Sequence, residues 1–324
     1  MRPNDASRIR GEPDCQGELS MNYLKAYRDL GSESEIAAFV SACEEEFENK
    51  LRDAAAAVCA HDEVRLVALS GPSCSGKTTT ANKLISELSA HGKKVHVVSI
   101  DDFYYDKEYL HARAAADPEI EIDYDSVSTI DLPALTECIR EIFSDEETLV
   151  PRFDFKQGKR VGYTHIDPSD DDLFIFEGIQ AIYPEITALF AEHPSRSVYI
   201  CVESGIDCGG TKFEPNEIRM LRRLVRDFHF RNSSPEFTLY LWESVRANEE
   251  KNIFPYVSDV DIRIDSALPF EINLLKPYLE DILSEIPENN EFIGLSRSII
   301  EKIADIRPID KKYLRENSLY YEFI

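Results

Sequence analysis

Hydrophobic and polar positions change their spacing along the chain. The first thirty or so residues are polar and irregular. From about Ser34 to His61 the sequence predicts one helix. Ser34 is its N-cap, acids follow closely, and Ala54–Ala57 is strongly helix-forming. Its acidic cluster, Glu44-Glu45-Glu46 with Glu48, reads as a solvated face. Val64 to Leu69 is then a short β-branched and aliphatic run that ends in a glycine-containing loop. Ala81, Leu84, Ile85 and Leu88 follow at i, i+3, i+4 and i+7, the spacing of one helix face. Val95–Val98, Leu173–Phe176 and Ser197–Val202 are further strands. Continuous apolar strands suit a parallel sheet covered on both faces. Strands alternating with helical stretches predict an α/β fold with right-handed crossovers.

The second half is helix-rich, with helices over about 214–230, 236–250 and 268–283 and a strand at Val260–Ile264 between the last two. An amphipathic stretch from Leu295 to Ile306 precedes a polar tail. The division expected is a polar segment plus helix over 1–61, a main domain over 62–285, and a helical extension and tail over 286–324. Met21 is an alternative start.

Composition narrows the classes. In 324 residues, 43% are hydrophobic and 30% charged, enough apolar material for a sizeable core. No apolar run approaches the roughly 18 residues of a membrane span, and the opening residues have no apolar leader core. Asp plus Glu number 61 against 36 Lys plus Arg, a formal charge of -25 that repels nucleic-acid backbones. The seven cysteines are odd in number and show no close pairs, which suits a reducing cytoplasm better than a disulfide or zinc scaffold. His111, His165, His193 and His229 have no metal-ligand spacing.

Gly71-Pro72-Ser73-Cys74-Ser75-Gly76-Lys77-Thr78 matches the G-x-x-x-x-G-K-[ST] phosphate loop between a strand and a helix. Its glycines let backbone N–H groups close around phosphates. Lys77 reaches the β- and γ-phosphates and Thr78 offers a hydroxyl to Mg²⁺. Such a loop alone fits GTPases, ATPases and small-molecule kinases. Asp101 and Asp102 follow one strand and Glu177 another, at the carboxyl ends where open α/β sheets bind ligands. An acid there suits a Mg²⁺ shell, and Asp101 can take the proton of a substrate hydroxyl. Arg219, Arg222, Arg223, Arg226 and Arg231 fall within thirteen residues of an otherwise acidic chain. Guanidinium groups suit phosphate contacts.

These motifs resemble the uridine kinase/phosphoribulokinase family. The matching residues are Gly71 to Thr79, Ser99 to Tyr104, Pro151 to Phe155, Phe176 to Ile179 and Arg222 to Asp227. Trp242 to Val245, Glu249 to Lys251 and Ile253 to Pro255 continue the likeness, which spans roughly 63 to 285. Lys156 to Arg160, Phe230-Arg231 and the last residues, Glu316 to Leu319 and Glu322 to Ile324, resemble a bacterial uridine kinase-like subgroup. Members of that subgroup often carry a domain like that of threonyl-tRNA synthetase, for which the sixty residues before the main domain leave no room.

The resemblance implies a P-loop NTPase-type three-layer sandwich with a mostly parallel sheet and a helical lid. It implies Mg²⁺ as cofactor, ATP and a nucleoside as partners, and no nucleic acid or membrane; a homo-oligomer stays open. It implies Asp101 as general base and metal-shell member, with Thr78 and Glu177 also at the metal. Gly71 through Thr79 would hold ATP. Asp125 would bind sugar hydroxyls and Phe153 would flank the base. Tyr104, Arg160 and Arg223 would contact substrate, with Lys77, Arg226 and Arg231 on the transferring phosphoryl group. Two positions depart from the family. Gly158 stands where uridine-cytidine kinases have a base-reading His, and Asn232-Ser233 replaces a lid arginine. The readings that remain are a nucleoside kinase, a kinase for another polyol or sugar phosphate, a non-catalytic nucleotide-binding regulator, and an acidic interaction protein.

Overall fold

The computed structural model describes residues 22–26, 31–117 and 122–324. Most of the polar opening, with Cys15 and Met21, lies outside the described residues. In chain order the elements are β1 (Tyr23–Lys25), α1 (Glu33–Cys59), β2 (Leu66–Ser70), α2 (Lys77–Ala90), β3 (Lys94–Ser99) and α3 (Lys107–Ala116). There follow α4 (Leu132–Phe143), β4 (Thr148–Asp154), β5 (Lys159–Ile166), β6 (Asp172–Glu177), α5 (Pro184–Phe190), β7 (Ser195–Cys201), β8 (Gly205–Cys208) and β9 (Thr211–Phe213). The chain then runs through α6 (Pro215–Arg231), α7 (Pro235–Asn252), β10 (Ile262–Asp265), α8 (Glu271–Ser284) and α9 (Ile293–Ile303).

Five strands form one parallel sheet in the order β10-β7-β2-β6-β3. Successive side chains on a strand point to opposite faces, and β2 feeds two cores this way. Val67 and Leu69 join α1, α2, the start of α8 and the C-terminal segment on one face. Leu66 and Ala68 join α4, α5 and Phe103 on the other. This is the expected α/β sandwich, with helices on both faces. From β2 the chain crosses to β3 on one side and later to β7 on the other. The crevice at the carboxyl ends of β2, β3 and β6 is therefore a switch point, where such sheets bind ligands.

The structure corrects four local expectations. The N-cap of α1 is Ser32, not Ser34: its hydroxyl accepts from Glu35 N at 3.3 Å and its own N donates to Glu35 Oε2 at 2.8 Å, a capping box. The acidic face of α1 is not wholly solvated. Glu44 is buried and accepts from Arg315 N at 3.0 Å, while Glu48 pairs with Lys83. The terminal tail is not simply polar, because Leu319, Tyr320 and Phe323 are buried in the α1–α2 core. Residues 23–25, inside the polar opening, pair with β8 as a short strand. The β4–β5 hairpin escapes the pattern reading because one of its faces meets solvent, leaving Val161 and Tyr163 exposed. Among the described residues no helix is long and apolar enough to cross a membrane.

Candidate active site

The loop from Gly71 to Gly76 joins β2 to α2, and its shape needs both glycines. A Cβ at Gly71 would lie 2.1 Å from the Ile200 carbonyl oxygen of the adjacent strand. Gly76 caps α2 at φ 93°, a left-handed conformation that glycine adopts without strain. Lys77 Nζ donates to the Pro72 carbonyl at 3.2 Å, folding the side chain across the loop. Arginines of α6 hold the loop from behind. Arg219 Nε donates to Ser73 O at 3.1 Å and Arg222 Nη1 to Cys74 O at 3.3 Å, while Arg223 Nη1 reaches Ser73 Oγ at 3.1 Å. Carbonyl and N–H of a trans peptide point in opposite directions, so the Cys74 N–H faces away from Arg219.

Two carboxylates face this loop. Asp101 comes from a 3₁₀ turn after β3, and Glu177 ends β6, paired with Ser99 in the register of the sheet. Ser99 Oγ donates to Glu177 Oε1 at 2.7 Å, which fixes that acid. Asp101 makes no such bond among the described residues. Burial, and then the charge of Glu177, push its carboxyl up to about 7 against the pull of Lys77. Lys77, Thr78, Asp101, Glu177, Arg226 and Arg231 border one cavity of about 280 Å³. A cavity of similar size, about 320 Å³ beside β8, β9 and α9, has neither the loop nor these acids on its wall.

A second group of side chains lies near Asp101, whose carboxyl feels the charge of Asp125. Asp125 is raised by burial and by Asp123, while Arg223 and Lys77 oppose the rise. Tyr183 Oη donates to the Asp125 carbonyl at 3.2 Å. Tyr104 donates to the Tyr124 carbonyl at 2.5 Å and accepts from Gln180 Nε2 at 3.0 Å, leaving Gln180 Oε1 buried without a partner. Phe153 lies against Tyr104 at 5.8 Å between ring centroids. Asp102, the neighbour of the base candidate, accepts from Phe153 N at 2.7 Å and so pins the hairpin to this crevice. Arg160 is engaged at the hairpin's base, with Nη2 on Asp131 at 2.9 Å and on the Phe103 carbonyl at 3.2 Å. Gly158 sits in the hairpin turn at φ 68°, and a Cβ there would lie 2.3 Å from Lys107 Cδ. A side chain here would take a left-handed backbone and would displace the Lys107 side chain.

The five arginines divide. Arg219 and Arg222 are fully buried and pair with Glu249 and Glu271. Arg223, Arg226 and Arg231 share Asp227, at 3.2, 2.7 and 3.5 Å. Sequence reasoning missed Glu249 and Glu271 as counter-ions, since pairing between separate helices leaves no local pattern; it also missed Asp227, which stands four residues from Arg223 and Arg231 on α6 itself. Missed as well were Gln180 and Tyr183, which bond Tyr104 and the Asp125 carbonyl. Glu322, which accepts from Thr79 N and Oγ1 at 3.2 and 3.0 Å, was legible only as part of a terminal likeness.

The sequence model of the phosphoribulokinase/uridine kinase family matches residues 66–271. The chain belongs to this family. It is 29% identical over 179 residues to a uridine kinase of Ureaplasma urealyticum, covering 55% of this chain and 76% of that protein. It is 27% identical over 176 residues to uridine-cytidine kinase C of Dictyostelium discoideum, covering 54% of this chain and 33% of that one. Among solved structures it resembles the phosphoribulokinase of Rhodobacter spheroides, with 14% identity, a TM-score of 0.44, and coverage of 76% of this chain and 99% of that chain. The phosphate loop, Asp101, Glu177, Arg226 and Arg231 of this member meet in one crevice.

Proposed function

We propose that this family member is an ATP-dependent kinase that phosphorylates the 5′-hydroxyl of a nucleoside, with residues 62–285 as its catalytic unit. The observation that carries the reading is Asp101, an otherwise unbonded carboxyl with its pKa raised to about 7, in one cavity with Lys77, Thr78 and Glu177. A general base works best when its pKa lies near the working pH.

In this mechanism Asp101 takes the proton of the acceptor hydroxyl. Lys77, Arg226 and Arg231 hold the transferring phosphoryl group, and Gly71 through Thr79 seat the rest of the triphosphate. Asp125 and Arg223 bind the sugar, with Tyr104 and Phe153 as the aromatic wall against the base. Arg160 acts through Asp131 and the Phe103 carbonyl, holding the hairpin that carries Phe153. The residues present fit Mg²⁺. The described residues contain no cage of three or more His, Cys, Asp or Glu, but Mg²⁺ in kinase sites takes one or two carboxylates and fills its shell with phosphate and water. Asp101, Glu177 and the Thr78 hydroxyl supply that set, and the mutual repulsion of the two acids is relieved by a cation. When bound, Mg²⁺ neutralises charge on the phosphates.

A coupled ADP-release assay with nucleosides, polyols and sugar phosphates tests the proposal. Nucleoside-dependent release that is lost in Asp101→Asn supports it; ATP binding with no nucleoside turnover sinks it. One observation favours a second reading. Gly158 offers no side chain to a base edge, so an acceptor without a base, such as a sugar phosphate, would lose nothing there.

A further inference from the structure

The last residues of the chain reach the phosphate loop from outside the matched family region. Leu319 packs over Gly76, where its Cδ1 lies 2.4 Å from the position a Cβ would take. Tyr320 and Phe323 are fully buried and lie 5.7 and 5.1 Å from the Arg222 guanidinium, ring centroid to Cζ. Between these anchors Glu322 turns outward to the cavity that holds Lys77, Asp101, Arg226 and Arg231. Its Oε2 accepts from both the backbone N and the hydroxyl of Thr79, in the first turn of α2.

That turn has no side-chain cap at Gly76. Its free N–H groups and the positive end of the helix dipole favour an anion. A nucleotide phosphate seeks the same donors. Glu322 is thus an anion already seated on the phosphate-binding helix, in a cavity with two further acids.

We propose that Glu322 sets the phosphate affinity of this site, because its carboxylate competes with the bound nucleotide for Thr79. The inference rests on the nucleotide-binding reading of the loop. The buried neighbours Tyr320 and Phe323 hold the backbone, so release is a swing of the Glu322 side chain and not departure of the tail. Removing the carboxylate frees both Thr79 donors and lowers the negative charge that an incoming polyphosphate meets.

The test is calorimetric titration of ADP and of inorganic tripolyphosphate into the full chain, comparing wild type, Glu322→Gln, Glu322→Ala and Glu316→Gln. Glu316 is exposed on the same tail, so its variant removes an equal charge elsewhere. Glu322→Ala should tighten both ligands by roughly three- to thirtyfold, and Glu322→Gln by less. Glu316→Gln should leave both constants within about twofold, as expected of a screened surface charge. Unchanged or weaker binding in both Glu322 variants overturns the assignment while the nucleotide reading stands. Failure of wild type and variants alike to bind either ligand overturns both together. Thermal unfolding of the two Glu322 variants establishes that each remains folded, and Glu322→Gln carries the comparison if the alanine variant does not.

Discussion

The two ends of α6 use the same residue type in opposite ways. Towards its N-terminus, Arg219 and Arg222 each have a dedicated carboxylate, Glu249 and Glu271, and neither guanidinium sees solvent. Arg219 also donates to the Ser73 carbonyl, and Arg222 to the Cys74 carbonyl and to the carbonyl and hydroxyl of Ser266. Towards its C-terminus, Arg223, Arg226 and Arg231 divide one carboxylate, Asp227. Neutral pairs build the floor of the phosphate loop, whereas at its mouth three guanidinium groups share one carboxylate beside a cavity that Asp101, Glu177 and Glu322 also line. An arginine cluster is thus two devices, told apart by counting counter-ions. The acids divide in the same way: Glu249 and Glu271 are matched, whereas Asp101 and Glu177 face each other across the cavity.

The largest effect should come from breaking a matched pair. Arg222→Ala strands Glu271 in the core and should cost about 3–5 kcal/mol of stability. Urea unfolding would measure it, and Arg222→Met with Glu271→Leu should recover part of the loss. An Arg222→Ala protein as stable as wild type would remove the distinction between the two ends.

Asp101→Asn should lower turnover about 10³-fold while changing ATP affinity far less, since the lost step is proton transfer. The same variant should stabilise the metal-free protein. The folded carboxyl titrates near 7, above its unfolded value, so its favourable contribution is complete only below the unfolded pKa and is lost as pH rises through 7. The advantage of Asn over Asp should therefore grow from about pH 4 to pH 7 and then level off, at about 4 kcal/mol. Thermal unfolding across that range checks the sign; a stability difference that shrinks with rising pH would contradict the burial of Asp101.

At the unmatched end, Arg226→Ala should reduce kcat about 100-fold with stability changed by about 1 kcal/mol or less, because Asp227 keeps two other arginines. The smallest effect belongs to Asp227→Asn. It releases three guanidinium groups towards the loop and should tighten ADP about threefold at low salt. The gain should fade in high salt, while stability drops slightly from arginine repulsion. Equal ADP affinity at both salt concentrations would show that Asp227 does not restrain the site.

Much of this organisation is legible in the chain itself. A continuous apolar run such as Leu173–Phe176 fits a strand covered on both faces, and β6 is one, whereas Val97 of β3 is exposed. The phosphate loop is contiguous because a strand, a glycine turn and a helix N-terminus build it locally, and the acids that end β3 and β6 need only the strand boundaries. The hairpin was harder to read, since exposed Val161 and Tyr163 blur its alternation. The tail was harder still. Three buried side chains among polar neighbours do not form a period, and a 3₁₀ turn places them.

The amino-acid sequence by itself determined the parallel α/β core, the phosphate loop and the acids beside it, because each arises from local spacing and backbone geometry. Tertiary structure alone decided which arginines are neutralised, since Glu249 and Glu271 lie 30 and 49 residues from their partners. It also brought Glu322 to Thr79 across 243 residues. Charge pairing depends on distance in space and on exclusion of water, and neither is written in the order of the residues.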